Sequence, residues 1–373
     1  VTDTAAAVSI AGTATRKRRP KENIMTEHPV ARRTVIKGAS LGIGAGLASG
    51  ITPAHAEAPT AAQSTAANIT PANIWSREHW AHKGDVKLYL FRKRAGAPAA
   101  GEPPRPVLFL VHGSSNAARS SYDLTLPGKG EYSLMNVFAG YGYDVWTMDH
   151  DGYGNSGSSG NNSDIASGVE DLKAAIAVVM QETEQQKIHF FGTSSGSIRA
   201  AAFAQAQPER VDRLVLSAFT YKGNGAEEIQ RRQKNIAELR ANPRRKRDAA
   251  MIRSIFTRDG HPEFYDPAVA EAIIAMEQPF GDTIPSGTYL DMAANLPLVD
   301  PRKVLSPVLM MRGEWDGNST NDDLLDFFRQ LSNGDRQFVI LSHVAHSAVY
   351  SKSRQLLWYA MKNFLAAPAP VAS

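Results

Sequence analysis

The chain has 373 residues, 43% hydrophobic and 21% charged, a balance that excludes a disordered or fibrous protein. It has no cysteine, which removes disulfides, thiolate nucleophiles and cysteine-ligated metal sites and leaves hydroxyls, histidines and carboxylates to carry any polar chemistry. The net charge of +4 is concentrated at the front: residues 1–56 hold eight Lys or Arg against three acids, leaving 33 basic and 34 acidic residues, so a nucleic-acid partner has no support.

Within that basic front, Arg32-Arg33-Thr34-Val35-Ile36-Lys37 is followed by an uncharged run from Gly38 to Ile51 and by Ala54-His55-Ala56. A charged region, a short apolar region and a small-x-small site make a secretory signal. The paired arginines resemble a twin-arginine signal, which implies the bacterial twin-arginine export machinery as a partner and a periplasmic or secreted protein. The apolar run is shorter than the roughly 20 residues that cross a bilayer, so no permanent membrane span is expected after cleavage. A disordered basic tail is the competing reading. The expected division is a leader over 1–56, with 1–24 as upstream sequence and 25–56 as the signal, then a flexible linker over 57–72 rich in Ala, Thr and Pro.

From there apolar runs alternate with helical stretches, the pattern of a mainly parallel sheet covered by helices. Strands are expected at 76–82, 86–93, 106–111, 143–148, 187–192, 212–217, 307–312 and 336–341, the first two as an antiparallel hairpin turning at Lys83-Gly84-Asp85. Helices are expected at 131–140, 164–184, 195–206, 320–331 and 352–365; in the second, Ile165, Val169, Leu172, Ile176 and Val179 form one apolar stripe. Residues 220–304 break the alternation, with helical pieces around Ile252, Ile255, Phe256 and Val269, Ile273, Met276 but no convincing strand. An insertion of that length is expected to be a helical lid, leaving 73–219 and 305–373 as the core.

The strongest chemical signal is Lys187-Ile188-His189-Phe190-Phe191 running into Gly192-Thr193-Ser194-Ser195-Gly196 and then the helical Ser197-Ile198-Arg199-Ala200. Strand, sharp turn and helix are the context in which G-x-S-x-G marks a nucleophile, with glycine at 192 and 196 where a side chain would meet neighbouring backbone. Ser194 would stand at the positive end of a helix dipole that favours a developing oxyanion. A serine hydroxyl needs a hydrogen-bonded base, itself oriented by a carboxylate.

Three further stretches extend the match. Val107-Leu108-Phe109-Leu110-Val111 ends in His112-Gly113-Ser114-Ser115; Val145-Trp146-Thr147-Met148-Asp149 leads into His150-Asp151-Gly152-Tyr153-Gly154-Asn155-Ser156-Gly157; and Pro307-Val308-Leu309-Met310-Met311-Arg312 leads into Gly313-Glu314-Trp315-Asp316-Gly317. Together with the elbow they resemble the α/β-hydrolase superfamily, of the esterase and lipase kind, over about 76–366 apart from the lid. The resemblance implies an eight-stranded mostly parallel sheet flanked by helices, with the lid inserted between strands 6 and 7. It implies Ser194 as nucleophile and backbone N–H groups of Ser114 and Ser195 as oxyanion donors, with Gly113 allowing close approach. His112 is expected to brace that loop and Asp149 to be structural. In the family's order of Ser, acid, His, Asp316 matches the acid, with Glu314 a nearby alternative. After the last strand, Ser342-His343-Val344-Ala345-His346-Ser347 places His346 at the base position, with His343 a competitor because many relatives carry glycine beside the histidine. Serine at 194 argues against haloalkane dehalogenases and epoxide hydrolases, which use aspartate there.

The expected reaction is hydrolysis of a small-molecule carboxylic ester with an apolar portion, through an acyl-enzyme and with neither cofactor nor metal. The same residues would serve an amidase, thioesterase, carbon–carbon hydrolase, acyltransferase or perhydrolase, and a hydrolase fold with a dead site would be a binding protein. Within the lid, Arg231, Arg232, Lys234, Arg240, Arg244, Arg245, Lys246, Arg247, Arg253 and Arg258 make a basic run that reads either as a solvated helix face or as steering for an anionic substrate or surface. Met251, Ile255, Phe256, Phe264, Tyr265, Phe280, Tyr289 and Met292 are available to line a hydrophobic pocket or to fill the core.

Overall fold

The computed structural model describes residues 73–369. The expected leader, its cleavage after Ala56 and the linker to residue 72 lie outside the described residues. Eight strands, numbered within the main sheet, are β1 (Ile74–Lys83), β2 (Val86–Ala95), β3 (Val107–Val111), β4 (Asp144–Met148), β5 (Ile188–Thr193), β6 (Val211–Ser217), β7 (Val308–Gly313) and β8 (Arg336–Leu341). They lie in the order β1-β2-β4-β3-β5-β6-β7-β8. β2 is antiparallel to both β1 and β4, and every other pairing is parallel.

The continuous apolar runs have the cause expected of parallel strands, burial on both faces. β3 and β4 are buried along their whole length. Side chains alternate between two cores: Phe109, Trp146, Phe190 and Leu216 pack on one face under the helices Ile165–Thr183, Ser195–Ala206 and Asn321–Gln330. Leu108, Leu110, Phe191 and Val215 pack on the other against Leu134–Gly140 and Arg354–Leu365. The period of two along each strand thus divides one apolar run between two layers. The helix expected from residue 131 begins only at Leu134, because the Ser133 hydroxyl accepts the Asn136 N–H at 3.0 Å and caps it.

Between β6 and β7 the inserted segment holds five short helices, at Glu227–Gln233, Ile236–Ala241, Ala249–Ser254, Pro267–Glu277 and Gly287–Ala294. The third and fourth start where Asp248 and Asp266 accept the Met251 and Ala268 N–H groups at 2.8 and 2.9 Å. One expectation fails here, since Arg244–Lys246 and Thr283–Pro285 pair as an antiparallel two-stranded ribbon. The sequence Arg-Arg-Lys has no apolar alternation, so nothing local announced that strand.

Because β3, β5, β7 and β8 run parallel, the loops that follow them emerge on one edge of the sheet, the edge where open α/β sheets gather their functional groups. His112 to Ser115, Ser194, Asp316 and His346 all lie on those loops.

Candidate active site

Ser194 follows the last residue of β5 and precedes the helix Ser195–Ala206, with φ 55° and ψ −130°. Such a conformation costs a non-glycine residue on the order of 1–3 kcal/mol and persists only where the surroundings fix it. Here the Ser194 N–H donates to the Ser217 carbonyl on β6 at 3.0 Å, and the Ser194 carbonyl accepts the Ser197 N–H at 3.0 Å. A Cβ at 192 would stand 2.6 Å from the Ser197 Cα, and one at 196 would stand 2.6 Å from the His112 carbonyl oxygen. Gly192 lets the following helix close onto its own strand, and Gly196 lets that helix pass against the end of β3.

The base loop meets this elbow. His346 Nε2 lies 3.0 Å from Ser194 Oγ, and its Nδ1 lies 2.8 Å from Asp316 Oδ1. A proton on Nδ1, donated to the carboxylate, leaves Nε2 as the acceptor for the serine hydroxyl. Asp316 is buried; burial pushes its carboxyl up, but the His346 charge and hydrogen bond and the Asn318 N–H at 2.9 Å outweigh it and hold the group below its ordinary value. Arg312 donates Nη2 to the Asp316 carbonyl at 2.8 Å and so anchors the acid loop.

The two competitors fall elsewhere. His343 is exposed, with Nδ1 bonded to the Ser342 hydroxyl at 2.9 Å and its backbone N–H donating to Glu314 at 3.0 Å. Glu314 therefore serves the surface turn, away from His346. Replacing His343 by Ala is expected to leave kcat/KM within about twofold, as for surface changes worth under about 0.5 kcal/mol. A much larger loss in a steady-state assay would return His343 to consideration as the base.

The loop after β3 passes directly over the serine. A Cβ on Gly113 would lie 3.2 Å from Ser194 Cβ, so the loop's backbone comes within van der Waals reach. Ser114 Oγ donates to Ser195 Oγ at 2.7 Å and accepts from Thr288 Oγ1 at 2.9 Å, which ties both oxyanion candidates to the inserted segment. His112 is buried and braces the loop: Nδ1–H donates to the Gly113 carbonyl at 2.8 Å while Nε2 accepts the His150 N–H at 3.1 Å. Burial holds its pKa well below the ordinary value, so it stays neutral and keeps this tautomer. Asp149 is likewise internal, accepting the Ala118 and Asn155 N–H groups at 2.7 and 2.8 Å, with burial pushing its carboxyl up to about 6.

Two contributions, from Asn318 and Asp259, were not legible beforehand. Asn318 is buried with its Nδ2 3.3 Å from His346 Nε2, a second polar contact for the base. Asp259, from the inserted segment, accepts the His346 backbone N–H at 3.1 Å. Arg232, Arg258 and Tyr289 line the cavity over Ser194, a space of about 50 Å³. Of the eight apolar candidates only Ile255 and Tyr289 reach that cavity; Phe256 and Tyr265 fill one core and Met292 the other. The basic run also divides: Arg231, Lys234, Arg240, Lys246 and Arg253 are solvated, whereas Arg232 and Arg247 are buried.

An eight-stranded sheet in this order, with a strained serine elbow, is the α/β-hydrolase fold, and the protein belongs to that superfamily. The chain belongs to the family described as "Serine aminopeptidase, S33" (Hydrolase_4), whose profile matches residues 102–352. It is similar to Lipase 3 of Drosophila melanogaster, 32% identical over 145 residues that make up 34% of this chain and 35% of that protein. It is also similar to a 2-hydroxy-6-oxononadienedioate/2-hydroxy-6-oxononatrienedioate hydrolase of Paraburkholderia phymatum, 34% identical over 115 residues, 30% of this chain and 35% of that protein. The chain thus spans about a third of the curated relatives it matches. Among solved structures, the 2-hydroxy-6-oxo-6-phenylhexa-2,4-dienoate hydrolase of a Rhodococcus strain shares the fold, with a TM-score of 0.58 at 18% identity, covering 79% of this chain and 100% of that one.

Proposed function

We propose that this hydrolase cleaves a carboxylic ester through an acyl-enzyme on Ser194. The observation that carries the reading is the continuous hydrogen-bonded chain from Ser194 Oγ through both nitrogens of His346 to Asp316. His346 Nε2 takes the hydroxyl proton as Ser194 Oγ attacks the ester carbonyl, and the Ser114 and Ser195 N–H groups receive the developing oxyanion. Each such donor contributes about 3 kcal/mol to the transition state. Protonated His346 then passes its proton to the leaving alcohol. A water molecule, deprotonated by the same nitrogen, attacks the acyl carbonyl; the acyl–Oγ bond breaks, Ser194 Oγ takes the proton back from His346, and the acid leaves. Asp316 stabilises the imidazolium at both stages without taking its proton.

The relatives' names cover a lipase and a 2-hydroxy-6-oxononadienedioate hydrolase, and a carbon–carbon, amide or thioester bond would suit the same residues. Fluorophosphonate labelling followed by a panel of 4-nitrophenyl esters, anilides and thioesters of graded chain length separates these readings. Labelling at Ser194 with ester turnover is expected. No labelling would make the protein a binding module, and turnover confined to amides would overturn the ester assignment.

The leader supports export by the twin-arginine route, on the strength of Arg32-Arg33, the uncharged run to Ile51 and Ala54-His55-Ala56. Intact mass of the exported protein is expected to place its first residue at Glu57. Retention of Arg32 and Arg33 in that form would refute the assignment.

A further inference from the structure

The inserted segment brings three guanidinium groups around one phenol at the wall of the Ser194 cavity. Arg232 and Arg258 line the cavity together with Tyr289. The Arg232 guanidinium lies 4.3 Å and that of Arg245 3.7 Å from the centre of the Tyr289 ring. Arg245 also donates Nη2 to the Ser114 carbonyl at 2.8 Å, which fixes the cluster to the loop over the nucleophile.

Charges of this kind are normally paired. Moving an ion out of water costs several kcal/mol, and buried charges are found with a counter-ion or a full set of hydrogen bonds. Arg247 obeys the rule, buried against the Glu277 carboxylate. Arg232 is only 7% exposed, yet its polar contact is the Met292 sulfur at 3.2 Å. Among the described residues none of Arg232, Arg245 and Arg258 has a carboxylate oxygen within 4.0 Å, and the Nε atoms of Arg245 and Arg258 are buried without a hydrogen-bond partner. Of the neighbouring acids, Glu228 pairs with Arg231 at 2.5 Å, and Asp259 gives Oδ2 to the His346 N–H while its Oδ1 has no hydrogen-bond partner; both favour the charge of Arg258 from beyond 4.0 Å.

Tyr289 supplies part of the missing charge. Burial pushes its hydroxyl up, but Arg245, Arg232 and Arg258 and the Ser115 hydrogen bond outweigh that and bring it down to about 6. That phenolate is the counter-charge in contact with the three cations, Glu228 and Asp259 acting on them from further off. An excess of positive charge still faces the cavity, in the place where a substrate must lie.

Resting on the ester-hydrolase reading, we infer that Arg232 and Arg258, backed by Arg245, form an anion subsite that selects esters carrying a carboxylate a few bonds from the scissile carbonyl. The short reach follows from a single cavity that has Ser194 and the two arginines in its wall. It also follows from the tie between Arg245 and Ser114. The subsite gives buried Arg232 and half-buried Arg258 and Arg245 a counter-ion in contact only when substrate is bound, so the part of their desolvation already met in folding is not repeated on binding.

The test compares acids with neutral compounds of the same shape on the full chain at low ionic strength. On the acyl side the pair is mono-4-nitrophenyl succinate and 4-nitrophenyl levulinate; on the alcohol side it is 4-acetoxybenzoate and 4-acetoxyacetophenone. One acid is expected to exceed its neutral partner by at least about tenfold in kcat/KM, the range of a charge-assisted hydrogen bond, and the responding pair identifies which side of the ester carries the carboxylate. Arg258→Gln and Arg232→Gln are each expected to cut that ratio about fivefold or more, through KM; should the buried Arg232 variant fail to fold, the Arg258 variant and the wild-type ratios decide. Equal or reversed preference in both pairs, with turnover that still depends on Ser194, overturns the subsite and leaves the ester reading intact. Absence of Ser194-dependent turnover on all four compounds overturns the ester reading, and this inference falls with it.

Discussion

Ser194→Ala is expected to lower kcat on 4-nitrophenyl esters by roughly 10⁵ to 10⁶, the scale on which removal of an activated serine acts in other hydrolases. The elbow supplies no substitute nucleophile. Ser195 Oγ is buried and engaged with Ser114 Oγ, and the Ser197 hydroxyl donates to the Ser194 carbonyl. The cost to the fold is small by comparison. The variant loses one hydrogen bond to His346, worth about 1 kcal/mol, while the backbone bond from Ser194 N–H to Ser217 stays. A drop in Tm of about 2 °C is therefore expected. Stopped-flow absorbance and a thermal scan on the same preparation check both halves, and retention of more than about one per cent of turnover would sink the nucleophile assignment.

Asp316→Asn is expected to reduce kcat by about 10⁴ with little change in KM. An amide at that position keeps the shape of the carboxyl and so fits the pocket made by Asn318 and Arg312. Its NH₂ group, however, can donate to His346 Nδ1. That favours the tautomer with the proton on Nε2, which points a donor at Ser194 Oγ in place of an acceptor. A second readout is the acid limb of stability. Asp316 is held below its ordinary value, so it remains ionised in the folded chain at pH values where the unfolded chain takes up a proton. Its stabilisation is present above the unfolded value of about 4 and disappears as pH falls through the folded value. Urea midpoints are accordingly expected to converge between wild type and Asp316→Asn as pH is lowered from about 6 to about 3. Parallel acid limbs would show that the carboxylate contributes nothing to the fold.

The sheet and the elbow were readable because each rests on local chemistry. Continuous apolar runs such as Val107–Val111 mark strands buried on both faces. Gly192 and Gly196 mark positions where backbone passes too close for a side chain. Both Glu314 and Asp316, and both His343 and His346, follow strand ends, so the preference for Asp316 and His346 came from the family resemblance. Other features depend on segments far apart in the chain. Asp259 reaches His346 across 87 positions, and no pattern near either residue records it. The run from Arg231 to Arg258 looks uniform in sequence, yet Arg232 turns inward while Arg231 pairs at the surface, because the helix Glu227–Gln233 packs one side against Met292. The ribbon strand Arg244–Lys246 is polar throughout and only its partner defines it.

Ser194 and His346 stand 152 positions apart, and their contact exists only while β5 through β8 are in register. Loop-closure entropy must be overcome before contacts of such long separation form, so they are expected to form late in folding. Turnover then acts as a gauge of complete assembly. In refolding from urea, the emission of Trp146, wholly buried in the strand next to β3, is set by collapse of the sheet. Catalytic competence waits for the last crossover to dock.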